Sequence, residues 1–187
     1  LLFSGKFDKF PGLKYCVVEC GSWWVGDLLW KADVNFGASW KIKKMSSRMK
    51  GLLTKLPSEY FGDSVFIGAS TMSRYEIRER HRNGIDALMW GTDYPHPEGS
   101  WPNTVHRLEN DFQDVSIEDT RRLLGLNAIE CYDLDVEGLT TVANRIGPTP
   151  EKLNQDPALR TSPTAKRDAR WWFDEYGIEW SGPENGL

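Results

Sequence analysis

The chain has 187 residues, with 23 Lys+Arg against 27 Asp+Glu and a net charge of −4. That balance argues against a nucleic-acid module, which is normally basic on at least one face. At 40% hydrophobic and 27% charged residues, the composition is that of a soluble globular chain rather than a disordered or collagen-like one. No apolar run approaches the roughly 18–20 residues that a membrane span needs.

In chain order, Phe3, Phe7 and Phe10 have helical spacing, and Pro11-Gly12 breaks the pattern. Lys14-Tyr15-Cys16-Val17-Val18-Glu19-Cys20-Gly21 is a short apolar run without clean alternation, as expected of a strand buried on both faces of a parallel sheet. From Ser22 to about Lys50 the pattern is helical, with Trp24, Leu28 and Lys31 on one stripe and an interruption expected at Gly37. Lys41-Ile42-Lys43-Lys44, Arg48 and Lys50 read as the solvated face of that helix. A second strand is expected over Ser64–Ala69. Ser73-Arg74-Tyr75-Glu76 is a capping-box pattern for a short helix, which Asn83-Gly84 can end through a left-handed cap.

A third strand runs over Ile85–Thr92, and the next helix begins near Asn103. Another starts at Ser116-Ile117-Glu118-Asp119, with Ile117, Thr120, Leu124, Ala128 and Tyr132 on one stripe. This alternation of strand and helix predicts an α/β fold with a parallel sheet. Three strands are too few for a (β/α)8 barrel, so the chain reads as the C-terminal portion of such a TIM barrel, with the other strands expected before Leu1. The chain divides in two: residues 1–134 as barrel, and 135–187 as a C-terminal extension. The extension holds half of the ten prolines and reads as an extended, Pro-rich arm with one further helix over Ala165–Tyr176.

Three cysteines, Cys16, Cys20 and Cys131, show no repeated spacing, which speaks against a disulfide scaffold and for a reducing, cytoplasmic setting. Cys16 and Cys20 are expected on one face of the first strand as buried small hydrophobes. Gly-x-Ser-x-Gly and Gly-x-x-x-x-Gly-Lys motifs are missing from the sequence, which removes the main support for serine hydrolase and NTPase readings. His81 and His106 sit in polar helical context and read as solvated.

The segment with chemistry in it is Met89-Trp90-Gly91-Thr92-Asp93-Tyr94-Pro95-His96-Pro97. In barrels the C-terminal ends of strands carry the catalytic groups. Asp93, closing a strand before prolines, ligates a divalent metal, or accepts a proton from a metal-bound water, or merely caps the following turn. His96, three residues on, either contacts substrate and shuttles a proton or packs on Tyr94. Trp23, Trp24 and Trp101 come after strand ends, where they line an aromatic or apolar substrate pocket or serve as packing.

Gly91-Thr92-Asp93-Tyr94-Pro95-His96-Pro97-Glu98-Gly99, preceded by Leu88-Met89-Trp90, resembles the last-strand motif of the amidohydrolase-related family, the metal-dependent barrels akin to aminocarboxymuconate-semialdehyde decarboxylase. Gly5 to Lys14 resembles the helix and turn before that family's sixth strand, and Leu126-Asn127-Ala128-Ile129-Glu130-Cys131-Tyr132 resembles its closing helix. The resemblance covers about residues 1–134. It implies a (β/α)8 barrel with one divalent metal, zinc first and manganese next, held by a His-x-His pair, a mid-barrel His and the last-strand Asp, here Asp93. Only that Asp is present in this chain. Where decarboxylase-like members end the sixth strand with His, this sequence has Glu19, a hard-oxygen ligand or proton carrier on one reading and a loop anchor on the other.

The resemblance therefore implies part of a metal-dependent hydrolase acting on a small organic substrate through activated water. Catalytic roles would fall on Asp93, Glu19 and His96, and substrate binding on Trp23, Trp24 and Trp101. Two alternatives stand beside it: a non-oxidative decarboxylase of an aromatic or unsaturated acid, and a non-catalytic barrel used for binding. The resemblance also implies a homodimer, and this chain by itself is expected to be inactive.

Overall fold

The computed structural model describes residues 1–39 and 52–153. The basic run from Lys41 and the helix expected over Ala165–Tyr176 lie outside the described residues.

Three parallel strands, β1 (Tyr15–Cys20), β2 (Val65–Ser70) and β3 (Leu88–Gly91), form one sheet in the order β1-β2-β3. The helices are α1 (Lys6–Lys9), α2 (Val25–Ser39), α3 (Arg74–Arg78), α4 (Thr104–Phe112), α5 (Ile117–Arg121), α6 (Asn127–Tyr132), α7 (Val136–Ile146) and α8 (Pro150–Leu153). A strand, a crossing helix and the next parallel strand is the repeating unit of an α/β barrel, so the α/β fold expected from the sequence is the one observed.

Strand alternation gives the sheet two unlike faces. On the helix-covered face, Val17, Ile67, Ala69 and Leu88 meet Val25 and Leu29 of α2, Ile77 of α3, Leu108 and Phe112 of α4, and Leu153 of α8. On the other face, Phe66 and Met89 pack with Cys16, Ala128 and Cys131. A smaller cluster of Phe7, Phe36, Leu53, Tyr60 and Val65 closes the end where the strands begin.

Several local expectations change in the folded chain. The first strand is not buried on both faces: Tyr15 and Val18 are exposed, Val18 by 58%, because β1 is an edge of the described sheet. Helix α2 passes through Gly37 without a break, since one glycine costs only about 1 kcal/mol and packing of the buried face outweighs it. Its buried stripe is Val25, Leu29, Ala32 and Phe36, one residue out of phase with Trp24 and Leu28.

The stripe from Ser116 is also displaced, to Thr120, Leu123, Asn127 and Cys131. A π-helical turn at Arg122–Leu126 separates α5 from α6 and rotates the later residues. Ser73 caps α3 as expected, its Oγ accepting the Glu76 N–H. That helix ends at Arg78, and a turn carries the chain to Gly84 at φ +79°. Beyond Asp135 the extended arm is, over its described part, helical: α7 and α8 account for most of it, and Leu153 is buried in the main core. The N-terminal cap of α7 helps to explain this, since Asp135 Oδ1 accepts the N–H groups of Glu137 and Gly138.

Candidate active site

All three strands end in residues that leave the β region. Glu19 has φ +57°, Thr71 φ +45° and Asp93 φ +59°. Non-glycine residues there cost on the order of 1–3 kcal/mol each and persist where the surroundings hold them. All three lie at the C-terminal ends of the parallel strands, the end where barrels place their chemistry.

Glu19 is placed by a bulge. Val18 pairs with Gly68 and Cys20 with Ala69, so Glu19 is an extra residue between two consecutive ladder positions. Strict alternation would send Glu19 to the helix side. The bulge instead lets Val18 and Glu19 line the same cavity. It also reverses the parity of the strand beyond it: Cys16 packs in the cluster with Cys131, while Cys20 packs against the helix-side core, so the two cysteines do not share a face.

Asp93 comes after β3 in a loop that folds back on itself. The Thr92 carbonyl accepts the Ser100 N–H at 2.8 Å, the Asp93 carbonyl accepts the His96 N–H at 2.8 Å, and the His96 carbonyl accepts the Gly99 N–H at 3.0 Å. A Cβ at Gly99 would sit 2.9–3.0 Å from three of these backbone oxygens, so the loop closes only with glycine there. The side-chain cap in the turn is Thr92, whose Oγ1 accepts the Tyr94 N–H at 3.2 Å. Among the described residues, no hydrogen bond or ion pair engages the Asp93 carboxylate.

Glu19, Asp93 and His96 all line one cavity of about 450 Å³, together with Ser70, Gly68, Gly91, Met89 and Tyr132. Small residues at the strand ends leave the space, and Met89 with Ala128 floors it. His96 Nδ1 lies 2.8 Å from Glu98 Oε1. That hydrogen bond, and then the negative charges of Glu98, Asp93 and Glu19, hold the imidazole above its usual range. The Asp93, His96 and Glu98 ligand atoms lie within 4.8 Å of one another. The Asp93 carboxylate, free of other hydrogen bonds among the described residues, is the donor that fits a zinc or manganese ion, while His96 and Glu98 are engaged with each other.

Of the tryptophans, Trp90 lines this cavity, while Trp23, Trp24 and Trp101 stand apart from it. Trp24 is partly buried against the helix-side core. Trp23 is 63% exposed, and Trp101 is 67% exposed, its ring edge-on to Tyr94 at 5.8 Å and 72°. Tyr94 does line the cavity. Of the other histidines, His81 is exposed and pairs with Asp119 at 3.1 Å, and His106 is exposed on α4.

Comparison with family models matches residues 1–134 to the family described as Amidohydrolase. The chain belongs to the amidohydrolase family. Amidohydrolase-family proteins generally use divalent metals. Among solved structures, the chain is similar to 5-carboxyvanillate decarboxylase LigW from Sphingomonas paucimobilis, with 24% identity and a TM-score of 0.52. That match covers 72% of this chain and 38% of the decarboxylase chain, so this chain spans well under half of that barrel protein. A search of the curated proteins finds no match. Among the described residues, no helix is long and apolar enough to cross a membrane.

Sequence reasoning passes over three residues that hold this amidohydrolase-family mouth together. Arg107 of α4, 3% exposed, donates from Nη2 to the Thr71 carbonyl at 2.9 Å and so braces the end of β2. Asn127 donates from Nδ2 to the carbonyls of Ile85 and Leu88, both at 2.7 Å, and pins α6 to the start of β3. Glu76 bridges two loops. Of these, Glu76 has a local signal in its place in the capping box, and Asn127 falls in the element that resembles the family's closing helix; Arg107 has neither.

Proposed function

We propose that this chain supplies part of the active site of a metal-dependent hydrolase of the amidohydrolase family, acting on a small organic substrate. The observation that carries the reading is the convergence of Glu19, Asp93 and His96 on one cavity at the C-terminal ends of three parallel strands. Its volume lies within the roughly 300–1,000 Å³ of small-molecule pockets.

Asp93 would be one ligand of a divalent metal, zinc first and manganese next, whose chemistry there is polarisation of a carbonyl and activation of water. Asp93 also accepts a proton from the attacking water. His96, whose pKa is raised by its hydrogen bond to Glu98 and by the neighbouring carboxylates, donates a proton to the leaving group. Glu19 orients the substrate from the opposite wall by accepting a hydrogen bond.

A second reading is non-oxidative decarboxylation, supported by the likeness to a solved decarboxylase. There His96 would deliver the proton to the carbon that loses its carboxylate. The two readings separate by product. The intact protein, loaded with zinc or manganese, is offered simple amides, esters, lactones and carboxylated aromatic acids. Release of acid or ammonia supports hydrolysis, and release of carbon dioxide supports decarboxylation. Full activity in an Asp93→Asn variant sinks both.

A further inference from the structure

The bulge at Glu19 needs an anchor. A non-glycine residue at φ +57° is held there against its own preference, and among the described residues the strand beyond it has only Cys20 left in the ladder. The chain then passes Gly21 and reaches Ser22, which is fully buried. Ser22 donates its backbone N–H to Glu76 Oε1, and its hydroxyl reaches the same oxygen at 3.2 Å.

The other oxygen of Glu76 is equally committed. Oε2 accepts the Ser73 N–H at 2.9 Å and the Ser73 hydroxyl at 2.8 Å. A capping-box glutamate ordinarily serves its own helix terminus alone. This one, 7% exposed, gives one oxygen to that terminus and the other to the loop after β1, 54 residues away in sequence. The fit is close: a Cβ at Gly21 would lie 2.9 Å from Glu76 Oε1, so Gly21 is what lets the carboxylate reach Ser22. An ionised acceptor facing four donors makes bonds about twice as strong as neutral ones.

We infer that Glu76 is a positioning residue for the active site: by clamping Ser22 to Ser73 it fixes the bulge that turns Glu19 into the cavity. Glu76 does not line that cavity itself. This rests on the role of Glu19 proposed above. A neutral Gln at position 76 offers one oxygen where two are used and presents an NH2 group to donors on the other side. Such a change releases one of the two loops. Ser22→Ala is milder, because the backbone N–H still reaches Glu76.

The test uses the intact, metal-loaded protein as Glu76→Gln, Ser22→Ala and Glu19→Ala, singly and with the first and third combined. In the crystal structure of Glu76→Gln, the Glu19 carboxylate is expected to have left the cavity wall, with β2 and α3 in place. On a compound that the protein turns over, kcat is expected to fall about ten- to a hundredfold with KM within about twofold. Ser22→Ala should fall less. In the Glu19→Ala background, Glu76→Gln should cause no further loss, because both changes remove the same contribution. The proposal is overturned if Glu19 keeps its place in the Glu76→Gln crystal structure. It is also overturned if the two losses add, or if Glu19→Ala is without effect. If no compound is turned over at all, the hydrolase and decarboxylase readings fail, while the crystal structure still decides whether Glu76 holds Glu19.

Discussion

The two faces of the sheet are built by different rules. On the helix-covered face, Val17, Ile67, Ala69 and Leu88 alternate with the strand period, and Ile67, Ala69 and Leu88 are completely buried. On the cavity face the residues change along the strand: Cys16, Phe66 and Met89 lie near the strand starts, and Gly68, Ser70 and Gly91 lie near the ends. Large side chains fill the floor, and small ones leave room above it for Glu19, Asp93 and His96. Stability and chemistry are thereby separated across one layer of backbone. The dry face carries the hydrophobic burial. The strained, polar strand ends draw on it to hold three residues at positive φ.

This separation predicts opposite signatures for substitutions on the two sides. The largest effect is expected at Asp93. Asn tolerates the left-handed conformation that Asp93 adopts, and Thr92 rather than Asp93 caps the turn, so Asp93→Asn should fold normally. Turnover by the intact protein should fall about a thousandfold or more, ~4 kcal/mol in barrier, with Tm within a few degrees; a large drop in Tm would break the comparison. Ile67→Ala, on the dry face, should do the reverse. It deletes a fully buried side chain and should destabilise by about 2–5 kcal/mol in denaturant unfolding. Activity per folded molecule should stay within about twofold.

The elements that build the helix-covered face are legible in the sequence because their signals are local. Val65-Phe66-Ile67-Gly68-Ala69 announces a buried strand, and Ser73 with Glu76 announces a helix start. Sequence and structure part where one residue of phase decides the answer. In α2 the sequence suggests a stripe through Trp24 and Leu28, but Val25, Leu29, Ala32 and Phe36 win because they face the sheet. After α5 the π-helical turn inserts a rotation that no residue type advertises. Asp93 and His96 stand out because prolines and a strand end frame them in sequence. The bulge that re-aims Glu19 is set by a contact between Ser22 and Glu76 across 54 residues, and local pattern carries no trace of it.

Asn127 tests the junction of the two faces. Its amide donates to two carbonyls, at Ile85 and Leu88, flanking the start of β3, and it is fully buried. Asn127→Ala leaves both acceptors without that partner, which should cost about 2–3 kcal/mol. Because α6 also carries Ala128 and Tyr132 to the cavity floor, this variant should lose activity as well as stability. Loss of stability alone, in paired unfolding and kinetic measurements, would show that the floor does not matter to the chemistry.

The smallest effect concerns Asp111, on the dry side of α4. Its carboxylate lies 3.4 Å from Arg107, and both side chains are nearly inaccessible. Burial outweighs the attraction of Arg107 and pushes the carboxyl up to about 6, from an ordinary 3.8. The folded protein therefore holds this proton more tightly than the unfolded chain does. The stability contributed by protonated Asp111 is fully present below about pH 4 and is lost as pH rises through about 6. Asp111→Asn cannot titrate, so its stability relative to the parent should improve as pH rises from about 4 to 7. The shift of about two pH units bounds the change at roughly 3 kcal/mol. Unfolding of both proteins at matched pH values reads the slope. A difference that is flat with pH, or that runs the other way, would mean that Arg107 rather than burial governs Asp111, and that Arg107, while bracing the Thr71 carbonyl, is ion-paired with Asp111 at neutral pH.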